Sequence, residues 1–218
     1  MAGSRRAPKR PVIDWQERRR EIADNALPLY LDRPWPNVSI EDVARESEMS
    51  FWQVYYSFDG QEDVYRAAVM RLFDKLSNAF AGQKEPDETI LQTIRTFVDH
   101  VAAIVQTADY RNLLYLRVRD EPTEPWLGIQ YERKIVQPLM HRLHQAIATS
   151  GQRQGMEIGV DEPICRRSFA SLEASLSLPG LLQRNGLDEE FCEEAIRNSS
   201  KRIWAGTYQL DESLRVTV

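Results

Sequence analysis

Residues 39–58, SIEDVARESEMSFWQVYYSF, constrain the fold of this chain most, because their pattern predicts two short helices joined by a tight turn. Ser39 is the predicted N-cap of the first helix, and Asp42 three positions later completes a capping box. Ser50 and Gln53 repeat this pattern for the second helix. About three residues remain between the helices, which is the turn length of a helix-turn-helix.

A longer helix is predicted before this pair and another after it. Apolar residues recur at helical spacing over residues 14–31, at Ile22, Ala26, Leu29 and Tyr30. Pro28 lies within this stretch and predicts a kink or an early end of the helix. After the pair, Asp59 or Gly60 is predicted to begin a fourth helix. Three helices, the last two joined by a short turn, form a helix-turn-helix domain.

The second helix of such a pair is the one that enters the major groove of DNA. Its predicted exposed residues are Phe51, Trp52, Gln53 and Tyr56, and its predicted inward residues are Val54, Tyr55 and Phe58. Gln53 is expected to form a bidentate pair of hydrogen bonds with adenine, and Trp52 or Phe51 to contact thymine methyl groups. In a second interpretation, the two aromatic rings pack on the N-terminal arm or on the first helix.

The net charge of −5 does not indicate a nucleic-acid partner, but the charge is unevenly distributed. Residues 1–20 hold seven basic and two acidic side chains, whereas residues 38–80 hold four basic and eight acidic ones. The basic N-terminal arm is therefore a candidate for contact with DNA phosphates. Its candidate residues are Arg5, Arg6, Lys9 and Arg10. The alternative is that the arm is only a solubilising tail.

Residues 15–75 resemble the TetR (tetracycline-repressor) family of transcriptional regulators. The resemblance rests on Ile22, Ala26, Tyr30, Trp35, Ser39-Ile40-x-x-Val43-Ala44, Met49-Ser50, Val54-Tyr55-x-x-Phe58, Glu62 and Val64. The combination of Val-Ala, Tyr-x-x-Phe and a following acidic helix start is more specific than any one of these elements. The length of the chain and its helical remainder are also similar to this family.

The resemblance implies an all-α homodimer of about nine helices per subunit. It also implies an N-terminal DNA-binding domain and a C-terminal domain that binds a small ligand and dimerises. By position in the motif, phosphate contacts are expected from Ser39, Tyr55, Ser57 and Gln61, and base contacts from Ser50 to Gln53. Arg45 and Tyr56 complete the predicted DNA-binding set.

Several positions depart from the family's pattern. The family usually has glycine in the turn where this chain has Glu48, and often has lysine where Gln61 stands. Ser57 replaces a frequent histidine, Asp59 adds a negative charge, and Pro28 is unusual in the first helix. Each phosphate contact adds about 0.9 to the slope of log affinity against log salt concentration, so this module alone is expected to bind DNA weakly. The basic arm is the expected compensation, by reaching into a minor groove.

The rest of the chain is also predicted to be helical. Segments with helical periodicity lie at about 88–107, 109–120, 124–150, 161–179 and 188–208. Pro138 is expected to bend the third of these segments, and residues 151–160 are predicted to be a loop. With a junction at Gly82–Pro86, three parts follow: a basic flexible arm 1–14, a DNA-binding domain 15–80 and a ligand-binding and dimerisation domain 86–218.

Aromatic residues and histidines in the C-terminal half are the candidates for a ligand pocket, and they favour a flat or apolar molecule. They are Phe97, His100, Tyr115, Trp126, Tyr131 and His141. The last two helices carry apolar stripes that are expected to form a four-helix bundle with a second copy. The stripe residues are Phe169, Leu172, Leu176, Phe191, Ala195, Ile203 and Trp204. For both sets the alternative is ordinary core packing within one chain.

Histidine and cysteine side chains are interpreted as structural. His141 and His144 share a helical face, but no clustered acid or cysteine accompanies them, so no metal site is predicted. Cys165 and Cys192 are interpreted as small apolar residues, with a redox pair as the alternative.

Several function classes are not expected for this sequence. Nucleophile elbows, phosphate-binding loops and zinc-protease motifs are all missing, so neither enzymatic activity nor a cofactor is predicted. The apolar runs are too short to span a membrane, and the N-terminal basic residues precede no apolar stretch of the kind found in a secretory signal. Two cysteines are too few for a disulfide framework, and the expected location is cytoplasmic and nucleoid-associated.

These observations lead to one functional hypothesis and one alternative. The hypothesis is a ligand-responsive homodimeric repressor that binds palindromic double-stranded operator DNA and is released by a small-molecule effector. The alternative is a dimeric module of the same fold that binds a small molecule or a protein and has weak or lost DNA binding. The acidic motif and the missing lysine at Gln61 favour this alternative.

Overall fold

The computed structural model describes residues 14–82, 89–181 and 189–209. Its helices are α1 Trp15–Asp32, α2 Ile40–Glu46, α3 Phe51–Ser57, α4 Gln61–Ala81, α5 Ile90–Val105, α6 Ala108–Asp120, α7 Trp126–Tyr131, α8 Gln137–Arg153, α9 Glu162–Leu181 and α10 Glu189–Ala205. The strands are β1 Ile158–Val160 and β2 Thr207–Gln209. The prediction of an all-α fold is confirmed.

A π-helical turn at Glu132–Val136 joins α7 to α8 without a gap. The described residues therefore form nine continuous helices, in agreement with the predicted number. Where Pro138 predicts a bend, the structure has this turn, which ends two residues before the proline. The wider turn changes which side chains face the interior, and both Ile135 and Val136 are buried.

The chain divides into two compact units, Met1–Arg71 and Leu72–Val218, and the division falls inside α4. The last turns of α4 belong to the second unit because their side chains contact it. The Phe80 ring lies edge-on to the Tyr110 ring, with 6.0 Å between the centroids. The predicted junction at residues 82–86 lies beyond this division, and residues 83–86 are outside the described part of the chain.

The first unit buries the inner faces of α1, α2 and α3 together with the N-terminal half of α4. The buried residues include Ile22, Ala26, Tyr30, Val38, Val43, Ala44, Val54, Phe58, Val64 and Tyr65. The Tyr30 and Tyr65 rings meet edge to face at 5.1 Å, and Trp35 stacks on Tyr65 at 6.0 Å. These aromatic contacts fix the loop between α1 and α2, which in turn sets where α2 begins.

Pro28 lies inside α1, and the helix continues through it to Asp32, so the predicted early end is wrong. The proline removes the amide that would donate to the Asp24 carbonyl. Both residues are exposed, so water can bond to that carbonyl. Burial of Ala26 and Tyr30 on either side of the proline stabilises the helix across the missing hydrogen bond.

In the second unit, α10 packs against α9 and α5, and α5 packs against α8. The shared core includes Ile94, Phe97, Val98, Val101, Leu139, Leu143, Ile147, Cys165, Phe169, Leu172 and Ile203. α9 and α10 run in opposite directions. Ser199 Oγ donates to the Ser168 carbonyl at 3.2 Å, and a Cβ at Gly206 would lie 3.0 Å from Ile164 Cγ2.

The strands β1 and β2 form a two-stranded antiparallel sheet, in which Gly159 lies opposite Tyr208. The prediction of a loop over 151–160 missed β1, because three residues are too few to show alternation. A Cβ at Gly159 would lie 2.5 Å from Tyr208 Cε2, so a larger residue there would displace the Tyr208 ring. β1 precedes α9 and β2 follows α10, so the sheet holds the ends of this helix pair together.

Candidate nucleic-acid interface

Both predicted capping boxes in the helix-turn-helix are confirmed. Ser39 Oγ accepts from the Asp42 amide at 3.1 Å, and the Asp42 carboxylate accepts from the Ser39 amide at 3.2 Å. At α3, Ser50 Oγ accepts from the Gln53 amide at 3.3 Å, and Gln53 Oε1 accepts from the Ser50 amide at 2.9 Å. Each such cap contributes about 1 kcal/mol, which is a large share for a seven-residue helix.

The Asp42 carboxylate also forms ion pairs with two arginine side chains at the start of α2. The hydrogen bond from the Ser39 amide lowers the pKa of Asp42, and Arg33 and Arg45 lower it further. Arg33 Nη2 lies 2.9 Å from Asp42 Oδ2, and Arg45 forms a second ion pair with the same carboxylate. The Arg45 side chain keeps 76% exposure, so it remains accessible to a phosphate.

The turn between α2 and α3 contains a residue with positive φ. Glu48 has φ of 53°, the left-handed region in which a side chain with a Cβ costs about 1 kcal/mol or more. The Met49 amide donates to the Ala44 carbonyl at 2.9 Å and closes the turn. The turn therefore has the backbone that glycine accommodates best, which accounts for the glycine that the TetR resemblance implies at this position.

α3 is attached to the first unit by two buried side chains, Val54 and Phe58, and by Arg19 of α1. Arg19 donates to the Ser57 carbonyl at 2.5 Å and to Asp63 Oδ1 at 2.7 Å, and its guanidinium lies 4.3 Å from the Phe58 ring centroid. It therefore connects α1 with the end of α3 and the start of α4. In the sequence, Arg19 counted only as N-terminal positive charge, because no local pattern marks a contact made across three helices.

The outer side of α3 carries four aromatic rings, Phe51, Trp52, Tyr55 and Tyr56, which we call the aromatic face. Phe51 stacks on Tyr55 at 5.7 Å and Trp52 on Tyr56 at 5.9 Å, while Phe51 and Trp52 meet edge to face at 5.5 Å. Trp52, Tyr55 and Tyr56 are 60%, 55% and 72% exposed. The prediction that Tyr55 points inward is wrong, because Val54 and Phe58 already fill the inner side of this short helix.

Polar groups on α3 are mostly used within the helix. Gln53 Oε1 accepts from the Ser50 amide and lies 3.0 Å from Ser50 Oγ. Ser57 Oγ donates to the Gln53 carbonyl at 2.7 Å. The bidentate contact predicted between Gln53 and adenine needs both a side-chain acceptor and a donor, and the acceptor already takes a hydrogen bond from the Ser50 amide in the cap.

The first unit is acidic where the structure describes it. Residues 14–71 contain seven basic and twelve acidic side chains, a net charge of −5. Arg66 pairs with Glu62, and Arg71 forms a bidentate pair with Asp24. Gln61 begins α4 and is partly exposed. The predicted arm residues Arg5, Arg6, Lys9 and Arg10 lie outside the described residues.

The second unit has a small cavity between α5, α8, α9 and α10. Its volume is about 10 Å³, enough for about one water molecule. Ser168 and Ser199 are the polar residues in an otherwise apolar lining, apart from the Cys165 thiol. Ser168 Oγ is buried and has no hydrogen-bond partner. Burial raises the pKa of the Cys165 thiol to about 11.

Of the six predicted ligand residues, Phe97 lines this cavity. His100 on α5 is partly buried, and its Nε2 has no partner. Tyr115 and His141 are exposed, and the Trp126 indole donates to Glu124 at 2.8 Å. Sequence periodicity identified buried faces but missed the α9 residues of the lining, for which the small polar Ser168 within an apolar stripe was the available signal.

Tyr131, the sixth predicted ligand residue, belongs to a separate polar cluster. Tyr110 and Tyr131 each donate to Glu173 Oε1, at 2.7 and 2.6 Å, and their hydroxyl oxygens are 2.8 Å apart. Burial is the main cause that raises the pKa of both tyrosines well above the usual range, and the charge of Glu173 raises the pKa of each further, so they stay neutral donors. The Arg117 guanidinium lies 3.7 Å from the Tyr131 ring centroid. The cluster links α6, α7 and α9.

The predicted dimer stripe divides into buried and exposed parts. Phe169, Leu172, Leu176 and Ile203 are buried within the chain's own core. Phe191 and Trp204 are 45% and 46% exposed, and Ala195 is partly exposed. Ala170, Ala174 and Leu178 are exposed on the opposite side of α9 from its buried residues. We call Ala170, Ala174, Leu178, Phe191 and Trp204 the α9–α10 face.

Residues 14–82, 89–181 and 189–209 contain neither a candidate metal site nor a candidate membrane span. There, no three His, Cys, Asp or Glu side chains come together as ligands for a metal ion. In the same ranges, no helix has the length and apolarity needed to cross a bilayer. Cys165 is buried and Cys192 is partly exposed, and neither forms a disulfide.

Comparison with known proteins gives consistent but distant similarities. No family model matches the sequence. The chain is 21% identical over 104 residues to the biofilm operon icaADBC HTH-type negative transcriptional regulator IcaR of Staphylococcus aureus. That alignment covers 48% of this chain and 55% of IcaR, so the chain spans about half the length of the curated relatives it matches.

Solved structures are similar over nearly the whole chain. The flavonoid-responsive regulator FrrA has a TM-score of 0.66 at 15% identity, covering 88% of this chain and 97% of FrrA. A TetR transcriptional regulator from Chloroflexus aurantiacus has a TM-score of 0.63 at 18% identity, covering 90% and 98%. GusR of Salmonella enterica has a TM-score of 0.59 at 14% identity, covering 89% and 100%. The resemblance seen in residues 15–75 thus extends to the fold, and the chain has the fold of the TetR-family transcriptional regulators.

Proposed function

We propose that this chain is a homodimeric transcriptional repressor that binds palindromic operator DNA and releases it when a small molecule binds. The observation that carries the proposal is the complete helix-turn-helix of α2 and α3. Both helices have full capping boxes, the turn closes on the Ala44 carbonyl, and α3 is anchored by Val54, Phe58 and Arg19. Its outer side is exposed and available to the major groove.

Dimerisation is supported by the α9–α10 face. Two antiparallel helices expose apolar side chains, which are Ala170, Ala174 and Leu178 on α9 and Phe191 and Trp204 on α10. Small side chains let two helices approach closely, and the same pair from a second copy would complete a four-helix bundle. A two-fold dimer places two recognition helices about 34–36 Å apart, one turn of DNA.

The candidate place for a ligand is the cavity in the second unit, which a bound ligand would have to enlarge. Its volume of about 10 Å³ is far below the roughly 300 Å³ or more of a small-molecule site. A ligand that enters there must separate α5, α8, α9 and α10, and it gains the unpartnered Ser168 hydroxyl as a hydrogen-bonding group. α4 is shared by both units and would transmit the change to the DNA-binding unit.

The names of two relatives agree with a ligand-controlled repressor. IcaR is described as a negative transcriptional regulator and FrrA as flavonoid-responsive. A coupling of 1–3 kcal/mol between ligand and DNA binding would give roughly 5–150-fold control of DNA affinity.

The DNA-binding proposal is tested by selection from a pool of random duplexes with the full chain. We expect an enriched palindrome whose half-sites are centred about one helical turn apart. A pool that remains random would overturn the proposal. If small molecules still bound the protein, that result would favour the alternative of a dimeric binding module without DNA recognition, which the net charge of −5 over residues 14–71 supports.

The contribution of the basic arm is measured on the same selected duplex. Deleting residues 1–10 removes Arg5, Arg6, Lys9 and Arg10 and is expected to flatten the log–log salt dependence by up to about 3.6, or 0.9 per lost phosphate contact. An unchanged slope would remove the arm from the interface.

A further inference from the structure

The aromatic face of α3 differs from an ordinary base-reading surface because its exposed side chains are aromatic rings, whose hydrogen-bonding atoms are the Tyr55 and Tyr56 hydroxyls and the Trp52 indole N–H. α3 has the sequence FWQVYYS and carries no charged side chain. The acceptor of Gln53 is held by the Ser50 amide, and the Ser57 hydroxyl donates within the helix. The side chains that project outward are therefore Trp52, Tyr55 and Tyr56, with Phe51 partly exposed beside them.

We infer that α3 recognises DNA by packing these rings on thymine methyl groups rather than by hydrogen bonds from Gln53 to base edges. The inference rests on the proposed function, which places α3 in the major groove. The thymine 5-methyl is the apolar group that the bases present there. Two stacked pairs, Phe51 with Tyr55 and Trp52 with Tyr56, give a contact surface already ordered before binding.

The charge around α3 favours the same mode of recognition. Arg33 pairs with Asp42 and Arg19 with Asp63, so these two charges are neutralised within the unit and only Arg45 of the three remains 76% exposed. Packing of a ring on a methyl group needs no basic side chain and is insensitive to salt. Contact with a phosphate needs a basic side chain and weakens as the salt concentration rises. The half-site is therefore expected to contain adjacent A·T pairs whose thymine methyls line one stretch of the groove.

The test replaces each thymine of the selected half-site in turn with deoxyuridine, which removes the methyl group and keeps every hydrogen-bonding atom. We expect the affinity of the full chain to fall about 4-fold at each contacted thymine, as for the loss of one buried methyl group. The matched control places 7-deazaadenine in the same A·T pairs, which removes the N7 acceptor of adenine and keeps the methyl group of thymine. This substitution is expected to leave the affinity unchanged.

Protein variants assign the contacts to individual rings. Trp52→Ala and Tyr56→Ala are each expected to weaken binding and to abolish sensitivity to deoxyuridine at the thymine that the ring contacts. Both side chains are exposed, so the melting temperature is expected to be unchanged. Leu91→Ala, at an exposed position of α5, is the control and keeps wild-type affinity and wild-type sensitivity.

The outcomes separate this inference from the proposed function. A selected palindrome that tolerates deoxyuridine everywhere, or that loses affinity with 7-deazaadenine instead, overturns methyl recognition and leaves the repressor proposal standing. A pool without enrichment overturns both. If Trp52→Ala changes the oligomeric state and not DNA affinity, the aromatic face contacts a second copy of the chain and the inference is overturned.

Discussion

The aromatic face of α3 and the α9–α10 face both expose large apolar side chains, but they differ in shape. The aromatic face concentrates four rings on a helix of seven residues, and Tyr56 is 72% exposed. The α9–α10 face spreads its residues over two long helices, and two of its five members are alanines. Bulky rings on a short helix form a ridge that suits a groove, whereas small side chains on long helices suit a flat helix-to-helix contact.

The two faces also differ in what lies behind them. On the side opposite the aromatic face, α3 is held to the first unit by Val54, Phe58 and the contacts of Arg19, which form a small supporting surface. Behind the α9–α10 face lies the core of the second unit, including Cys165 and Phe169. Exposed apolar residues thus indicate that a surface makes a contact. The shape of that surface and the packing of side chains beneath it indicate the kind of partner.

Disrupting the α9–α10 face is expected to have the largest effect. Ala174→Arg places a charge at the centre of the proposed four-helix bundle and is expected to convert the dimer into a monomer. Loss of the second recognition helix would lower affinity for a palindrome by roughly 10²–10⁴-fold. Sedimentation velocity and fluorescence anisotropy with the selected duplex measure the two effects.

Val118→Arg is the matched control for that variant. Val118 is 75% exposed on α6, so the same kind of substitution is made outside the α9–α10 face. It is expected to remain dimeric and to bind DNA as the wild type does. A dimeric Ala174→Arg protein, or a monomeric Val118→Arg protein, would place the dimer interface elsewhere on the second unit.

The inner side of α9 is tested by thiol reactivity. The pKa of Cys165 is raised to about 11 by burial, whereas an unfolded cysteine has a pKa near 8.5. At pH 8.5 the native thiol is almost wholly protonated, so alkylation by iodoacetamide is expected to be roughly 10²-fold slower than in urea. The rate in native protein should rise with pH until about 11.

The Cys192→Ser variant isolates the Cys165 signal, and mass spectrometry of the labelled peptide measures it. Rapid labelling in the native dimer near pH 8.5 would show that α9 is not buried on this side. The distinction between its inner and outer sides would then fail.

Local patterns made the DNA-binding unit largely predictable from the sequence. Capping boxes need only residues three positions apart, so the starts of α2 and α3 were correct. The position of Tyr55 was wrong because seven residues give two turns, and Val54 and Phe58 occupy the inner positions of both. Arg19 was missed because its partners are 38 and 44 residues away in sequence.

The second unit was less predictable because its features depend on distant segments. Periodicity located the helices, but the cavity combines Phe97 of α5 with Ser168 of α9 and Ser199 of α10. The same apolar stripe supplies both core and surface, so Leu172 and Trp204 carried equal weight in the sequence although one is buried and the other exposed. Which side of a helix meets a neighbour is set by packing between helices, and periodicity alone does not encode it.

The support behind the aromatic face is tested by Arg19→Ala. The substitution removes the hydrogen bonds to the Ser57 carbonyl and Asp63 and the contact with the Phe58 ring. The side chain is 41% exposed, so solvent screening limits the expected loss to about 1–2 kcal/mol of unfolding free energy. Urea denaturation followed by tryptophan fluorescence measures it. The control Arg20→Ala, at an exposed position, should change stability by less than about 0.5 kcal/mol, and an equal loss in both variants would contradict the assignment.

The smallest expected effect concerns the turn between α2 and α3, which sets the orientation of α3. Glu48→Gly relieves the cost of φ at 53°, partly offset by the greater freedom of glycine in the unfolded chain. The net gain in unfolding free energy is expected to be about 0.5–1 kcal/mol, measured by urea denaturation. Removal of a negative charge beside α3 should also raise DNA affinity at low salt.

Glu48→Gln separates these two effects, because it removes the charge and keeps the left-handed backbone. It is expected to raise DNA affinity as Glu48→Gly does and to leave stability unchanged. Equal stability of the two variants would show that the turn carries no strain. If only Glu48→Gly strengthened DNA binding, the backbone of the turn rather than its charge would limit how α3 enters the groove. DNA binding by the aromatic face would then depend on the backbone of the turn as much as on the four rings.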